Sequence, residues 1–589
     1  MRSLLRIFTI IIAIVFFGSF SIVDGPSSFL HKQIKPAFLK SPIEWANNIM
    51  TNMSDEEKIG QLIMAAAYSN RDSKHAREIE KYIRKYHIGG LIFFQGGPVR
   101  QALLTNLFQQ KAKVPLFISQ DCEWGLSMRL DSVPSYPYQM MLGAIQNNQL
   151  IYEMGKAIAE NLHRLGINMS FSPVADVNNN PANPVINYRS FGENKINVSQ
   201  KAYAYMSGLQ DKHIIAFGKH FPGHGNTNTD SHKELPQLDQ SSEELYKTEL
   251  FPFRYLIRKG LAGIMTAHLA VTAFDSSGTV PASLSEKLIR EVLIDQMKFE
   301  GLIITDALNM EGAQAEDSKP GDIEVQALLA GNDILLMPED IPSTVKAIKK
   351  AIKKGILDQA DIDTKCRKIL LAKHWAGLNK YEAIEIEHLV DDLNQIKYEI
   401  LNRKLIESSL SLIRNKKGLI PLQRLDTLKI ASIVIGNQGV SVFQEYLSKY
   451  TSVTNFHLNN IFSEYEFNLI REKLDDYNLI IVGVDETSQY PSRYFGIAKE
   501  TIHYVRKLSE EKTVILDLFA NPYSLGLWHD SIQADAIIIS YDDADPVREL
   551  SAQLIFGGIP ALGTIPVSIS DDFREGAGEI SFLANRLKY

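Results

Sequence analysis

Gly301–Ala307 reads GLIITDA: a glycine, three consecutive aliphatic residues, a threonine and then a carboxylate. A strand with one face in water would alternate apolar and polar side chains. This run does not, so it reads as a strand buried on both faces, as in a parallel sheet covered by helices. The same form recurs in QLIMAAA (61–67), GGLIFF (89–94), PLFISQD (115–121), INMSFSPVAD (167–176), IIAFGKHFPG (214–223), GIMTAHL (263–269) and DILLMP (333–338). A polar or Gly-rich tip and a longer helical stretch follow each run. Eight such units in roughly 300 residues predict a (β/α)8 TIM barrel.

Polar residues collect at the carboxyl ends of these runs: Asp121, Asp176, Lys219 with His220, His268 and Asp306. In a barrel those ends share one face, where the βα loops build the active site. Strand ends also mark where solvent begins. Five of the eight ends carry titratable groups, however, while the opposite ends are mostly Gly, Ile or Pro, and that asymmetry favours a site.

The barrel is expected over residues 40–385. A helix opens at MSDEEKIGQLIM, where Ser54 and Glu57 read as a capping box. The barrel closes with the amphipathic stretches STVKAIKKAIKKGI and DTKCRKILLAKHWAGL, the lysines of the first reading as a solvated helix face. A polar helical connector leads to a second pattern over 400–589. There KIASIVIG, NLIIVGV, TVILDLF and ADAIIIS alternate with helical stretches and end in GTIPVSI. This predicts a smaller αβα three-layer sandwich of parallel strands. Its first turn, GNQG (436–439), lacks the G-x-G-x-x-G of dinucleotide sites, and no chemistry is expected of this domain.

Residues 1–24 form a third segment. Arg2 and Arg6 flank LLRIFTIIIAIVFFGSF, an apolar run of signal-peptide length, with a cleavage site after Ser21. The expectation is export to the periplasm or the extracellular space; an uncleaved N-terminal membrane anchor is the alternative. A net charge of −7 and a pI near 6.1 give no nucleic-acid footprint. Cys122 and Cys366 are too few and too far apart for a disulfide framework or a cysteine-based zinc site, and both read as buried thiols. Nothing in the sequence bears on oligomeric state.

The chain's most polar loop, KHFPGHGNTNTDSHKELP (219–236), follows the fifth run. A metal site would use His220, His224 and His232, but H-x3-H-x7-H with intervening glycines is not a helical zinc spacing. A phosphate cradle would need a glycine turn feeding a helix N-terminus, and that order is absent. A structural turn accounts for Pro222, Gly223 and Gly225 but not for Asp230 and His232 two residues apart. Acid/base catalysis accounts for that pair: the imidazole moves a proton near neutral pH, and the carboxylate orients it. Asp306, on rigid scaffold at the end of a strand, stands where a nucleophile is best held.

Taken together, MSDEEKIGQL, KHFPGHGNTNTDSHKELP, MTAHLAV and GLIITDALNMEGA resemble glycoside hydrolase family 3, in its β-N-acetylhexosaminidase branch. The likeness covers roughly residues 40–380, and the second domain resembles that of two-domain members. It implies a retaining exo-β-N-acetylglucosaminidase acting on peptidoglycan fragments or chitin oligosaccharides, with neither metal nor organic cofactor. Asp306 would be the nucleophile, and His232, assisted by Asp230, the acid/base. Asp121, Arg129, Arg189, Lys219 and His220 would contact the sugar. The family's D-x-E-G-G-R-x-x-R is DCEWGLSMR here, so Trp124 and Leu126 alter the pocket wall. Phosphorolysis, β-glucosidase activity and a non-catalytic carbohydrate-binding protein are the alternatives.

Overall fold

All eight apolar runs become strands of one parallel sheet in a computed structural model that describes residues 33–589 other than 231–233, 314–318, 437–438 and 440. They are β1 (Ile63–Tyr68), β2 (Gly90–Phe94), β3 (Phe117–Gln120), β4 (Met169–Ser170), β5 (Ile215–Phe221), β6 (Gly263–Thr266), β7 (Leu302–Thr305) and β8 (Leu335–Leu336). Their order is β8-β1-β2-β3-β4-β5-β6-β7. A parallel bridge between Ile304 and Ile334 returns β7 to β8, and the Leu336 amide donates to Thr305 Oγ1 at 3.0 Å. The sheet therefore turns back on itself as a TIM-type barrel with helices outside. β5 is buried at all seven positions, as a strand wedged between a barrel interior and a helix layer must be.

Local signals read from the sequence recur in the structure. Ser54 Oγ accepts from the Glu57 amide at 3.3 Å, and Glu57 Oε2 from the Ser54 amide at 2.7 Å, capping helix Asp55–Gln61. On helix Ile341–Lys353 the lysines at 346, 349, 350 and 353 all face solvent. Cys122 and Cys366 are buried free thiols.

The second sheet has six strands: β9 (Ser411–Asn415), β10 (Ile430–Ile435), β11 (Val453–Leu458), β12 (Leu479–Val484), β13 (Val514–Leu518) and β14 (Ala536–Ile539), ordered β9-β14-β13-β12-β10-β11. Consecutive residues of β10, β12, β13 and β14 are buried, so both faces of the sheet are covered. Three details depart from the sequence reading. β9 pairs antiparallel with β14, so the sheet is mixed. β11 is a half-exposed edge strand whose VTNFHL lacks a continuous apolar run. GTIPVSI forms no strand: Pro566 has no amide to donate, and the segment lies along the barrel, its Pro566 carbonyl accepting from the Glu193 amide at 3.1 Å.

One apolar core draws on residues from Phe38 to Leu405, and a second on residues from Ile406 to Phe573. The second core also contains Met140, Met141 and Ala144, carried on and just after barrel helix Gln139–Gly143. Polar contacts fasten the same junction. Asn521 Nδ2 donates to Asn187 Oδ1 (2.6 Å), Tyr523 OH to the Asn178 carbonyl (3.0 Å), and the Ser568 amide to Glu193 Oε2 (2.9 Å). Among the described residues no helix is long and apolar enough to cross a membrane. The apolar run of residues 1–24 lies outside them.

Candidate active site

The carboxyl end of β3 delivers Asp121, with Glu123 two residues on, and the last residues of β5 deliver Lys219 and His220. These side chains meet in a chain of alternating charge. Arg129 Nη2 lies 2.5 Å from Asp121 Oδ2, and Lys219 Nζ lies 2.8 Å from both Asp121 Oδ1 and Glu123 Oε1. Arg189 grips Glu123 with two bonds, Nε to Oε2 at 2.9 Å and Nη2 to Oε1 at 2.7 Å. Lys219 is 2% and Glu123 0% exposed, so each would be costly alone and is held by its neighbours. Burial would raise both carboxyls, but Lys219 with Arg129 holds Asp121 well below the usual range, and Arg189 with Lys219 does the same for Glu123.

Asp176, beyond the end of β4, is fully buried and organises the next stretch. Its Oδ1 accepts from the amides of His220 (3.0 Å) and His224 (2.8 Å), and its Oδ2 lies 2.8 Å from His220 Nδ1. That contact aims His220 Nε2 toward Arg189 Nη2, 3.5 Å away. Beyond it the chain turns tightly. A Cβ on Gly225 would stand 1.9 Å from the Val177 carbonyl oxygen, so only glycine fits there. His224 Nδ1 pairs with Thr227 Oγ1 at 2.7 Å, and burial together with the His220 charge pushes this imidazole down to about 4. His224 is therefore neutral near neutral pH. Among the described residues no group of three or more His, Cys, Asp or Glu side chains is arranged to hold a metal ion.

Asp306 follows β7 and is partly exposed at the floor of a cleft of about 870 Å³. Its amide donates to the Thr266 carbonyl (2.9 Å), and its Oδ1 accepts from the Ala307 amide (2.8 Å). Burial would raise its pKa; the charges of His220 and His268, the Ala307 amide and Lys219 lower it further than burial raises it. His268, wholly buried, contacts Ser283 Oγ (2.7 Å) and the Ala307 carbonyl (3.0 Å), bracing the peptide after Asp306.

Seven of the eight site residues expected from the sequence, Asp121, Arg129, Arg189, Lys219, His220, Asp230 and Asp306, line this one cleft. His232 lies outside the described residues, and with it the expected contact to Asp230. The sequence reading gave no site role to Glu123 or Asp176. Asp176 had already stood out as a strand-end carboxylate, and Glu123 sits two residues from Asp121 in DCEWG. Tyr490 of the second domain also lines the cleft, and no pattern in SQYPSRYF announces it.

The arrangement, a carboxylate opening into a polar barrel-mouth cleft beside buried, ion-paired cations, suits a small hydroxyl-rich ligand. Comparison with known proteins agrees. The family description "Glycosyl hydrolase family 3 N terminal domain" matches residues 54–372. A β-hexosaminidase from Glaesserella parasuis is 34% identical over 266 residues, 44% of this chain and 76% of that protein. Beta-hexosaminidase A of Pseudoalteromonas piscicida is 31% identical over 383 residues, 61% of this chain but only 58% of that protein's length. The solved β-N-acetylglucosaminidase of a Paenibacillus species superposes with a TM-score of 0.73 at 27% identity, over 88% of this chain and 99% of that one. The chain belongs to glycosyl hydrolase family 3.

Proposed function

We propose that the protein is an exo-acting, retaining β-N-acetylglucosaminidase that releases terminal β-linked N-acetylglucosamine. Asp306 attacks the anomeric carbon as the bond to the leaving oxygen breaks, giving a covalent glycosyl-enzyme. His232, oriented by Asp230, delivers a proton to that oxygen and then takes one from the water that releases the sugar. Asp121, Arg129, Arg189, Lys219 and His220 hold the sugar hydroxyls. Ion pairs and hydrogen bonds among them and with Glu123 and Asp176 fix the donors before substrate arrives, so little ordering remains at the transition state. The observation that carries this reading is Asp306, held below the usual carboxylate range on the floor of the cleft that Asp230 also lines.

Peptidoglycan fragments and chitin oligosaccharides are the proposed sources of substrate, and the apolar N-terminal run supports export to meet them. The activity is tested by comparing aryl β-N-acetylglucosaminide with aryl β-glucoside. Preference for the first is expected, and preference for the second overturns the assignment. His232→Ala should slow substrates with poor leaving groups far more than activated aryl ones, because only the former need protonation. Equal losses on both remove His232 from the acid's role.

A further inference from the structure

No helix or strand holds residues 224–230, which carry the chain from the turn at Gly223 to Asp230. Their backbone groups have no ladder to pair with and must be satisfied from outside. The partners come from NNNPANPVIN (178–187), five asparagines in ten positions. Asn183 Nδ2 donates to the carbonyls of His224 (2.9 Å) and Gly225 (3.1 Å), while its Oδ1 accepts from the amides of Val185 (2.9 Å) and Ile186 (2.8 Å). Asn180 Nδ2 donates to the Thr227 carbonyl (3.0 Å) and to Asn228 Oδ1 (2.8 Å), while its Oδ1 accepts from the Ala182 amide (3.0 Å). Each side chain folds its own segment with its oxygen and grips the loop with its nitrogen. Only an amide does both: a carboxylate would set oxygen against carbonyl oxygen, and an aliphatic chain would orphan every partner.

The same segment is tied to the second domain. The Asn180 carbonyl accepts from Asn178 Nδ2 (3.0 Å) and from the Asn183 amide (3.1 Å). Asn178 Oδ1 accepts from the Asn187 amide (3.0 Å), and Asn187 Oδ1 accepts from Asn521 Nδ2 (2.6 Å). Asn521 follows β13, and its Oδ1 caps the short helix Pro522–Ser531 by accepting from the Tyr523 amide (3.1 Å). A line of hydrogen bonds thus runs from the second sheet to Asn228, two residues before Asp230. Asn178, Asn183 and Asn521 are wholly buried, so a bond lost there is not replaced by water.

We propose that Asn180 and Asn183 are positioning residues for Asp230, and that Asn521 of the second domain holds them through Asn187 and Asn178. None of these asparagines lines the cleft. They set where the loop leaves the barrel, and through it where Asp230 stands relative to Asp306. This inference rests on the acid/base role given to the loop above. A displacement of about 1 Å in a group that serves proton transfer slows the reaction and leaves the sugar contacts as they were.

The test compares the full wild-type chain with two variants. Asn180→Asp keeps the acceptor for Ala182 and removes both donors; Asn521→Ser keeps a cap for Tyr523 and is too short to reach Asn187. Hydrogen–deuterium exchange in peptides spanning 224–230 should quicken about tenfold in the first and about threefold in the second, with the barrel strands unchanged. Unchanged exchange overturns the proposal whether or not the protein is active. On N,N′-diacetylchitobiose, whose leaving sugar needs a proton, kcat should fall by about the same two factors with KM within about twofold. On 2,4-dinitrophenyl β-N-acetylglucosaminide, whose leaving group needs none, kcat/KM should stay within about twofold. Equal losses on both substrates mark a merely structural role and overturn the proposal, as does no loss on either. The double variant should lose less than the product of about thirtyfold, because both changes cut one line; the full product overturns the link to Asn521. A wild type that hydrolyses no N-acetylglucosaminide refutes the proposed activity instead, and exchange alone then decides whether the second domain anchors the loop.

Discussion

The two large sheets of the molecule are mostly parallel, and both place carboxylates near the carboxyl ends of their strands. In the second domain Asp485 follows β12 and is clasped by Arg548 through Nε at 2.9 Å and Nη2 at 2.7 Å. Asp517, within β13, accepts hydrogen bonds from the hydroxyls of Ser540 (2.7 Å) and Ser551, and burial pushes it up to about 7. Both are almost wholly buried, and their partners come from the same domain. In the barrel the carboxylates share buried cations, and the set surrounds a cleft into which Asp306 opens. Strand-end chemistry alone does not make a site. The barrel differs in holding a carboxylate charged while leaving one face of it free for substrate.

The sharpest test of that contrast is Asp306→Asn, which should reduce kcat by at least about 10³-fold with the melting temperature little changed. Its counterpart, Asp517→Asn, should leave kcat/KM within about twofold, since its partners Ser540 and Ser551 lie outside the cleft lining. Glu123→Gln removes the carboxylate between Arg189 and Lys219. It should destabilise the fold by roughly 3 kcal/mol by chemical denaturation and lower activity as well, because Arg189 loses its carboxylate partner and Lys219 one of two.

The two sheets should also answer pH with opposite slopes. Asp121 and Glu123 have folded pKa values below their unfolded ones, so their stabilisation is complete above the unfolded values and lost as pH falls toward the folded ones. The melting temperature should therefore drop below about pH 4. Asp517, raised in the folded state, stabilises at low pH and loses that contribution as pH climbs toward about 7. The melting temperature of Asp517→Asn relative to wild type should then rise between about pH 4 and 7. A flat difference would remove Asp517 from this account. The smallest effect is expected at the junction, where Tyr523→Phe deletes a hydroxyl bonded to Asn178 and should cost about 1 kcal/mol.

Much of the barrel was legible because burial on both faces forces unbroken apolar runs, and each of the eight runs became a strand. The same rule hid β11, whose edge position lets polar residues in, and it misread GTIPVSI, whose burial comes from domain packing and not from a ladder. Asp121, Lys219 and Asp306 were visible as strand-end charges. Glu123 was harder to see, since its importance lies in partners 66 and 96 positions away in the chain, Arg189 and Lys219. Tyr490 left no periodic trace at all, because a loop residue is placed by the domain beneath it.

Helix Gln139–Gly143 has a consequence for how the protein is made. During synthesis the barrel sequence emerges first, carrying Met140 and Met141 with the core that receives them still unmade. Those thioethers stay uncovered until residues 406–573 have followed and folded around them. A chain cut at the connector would lack the residues that cover Met140 and Met141. The two halves are therefore separate in their sheets and continuous through one apolar core.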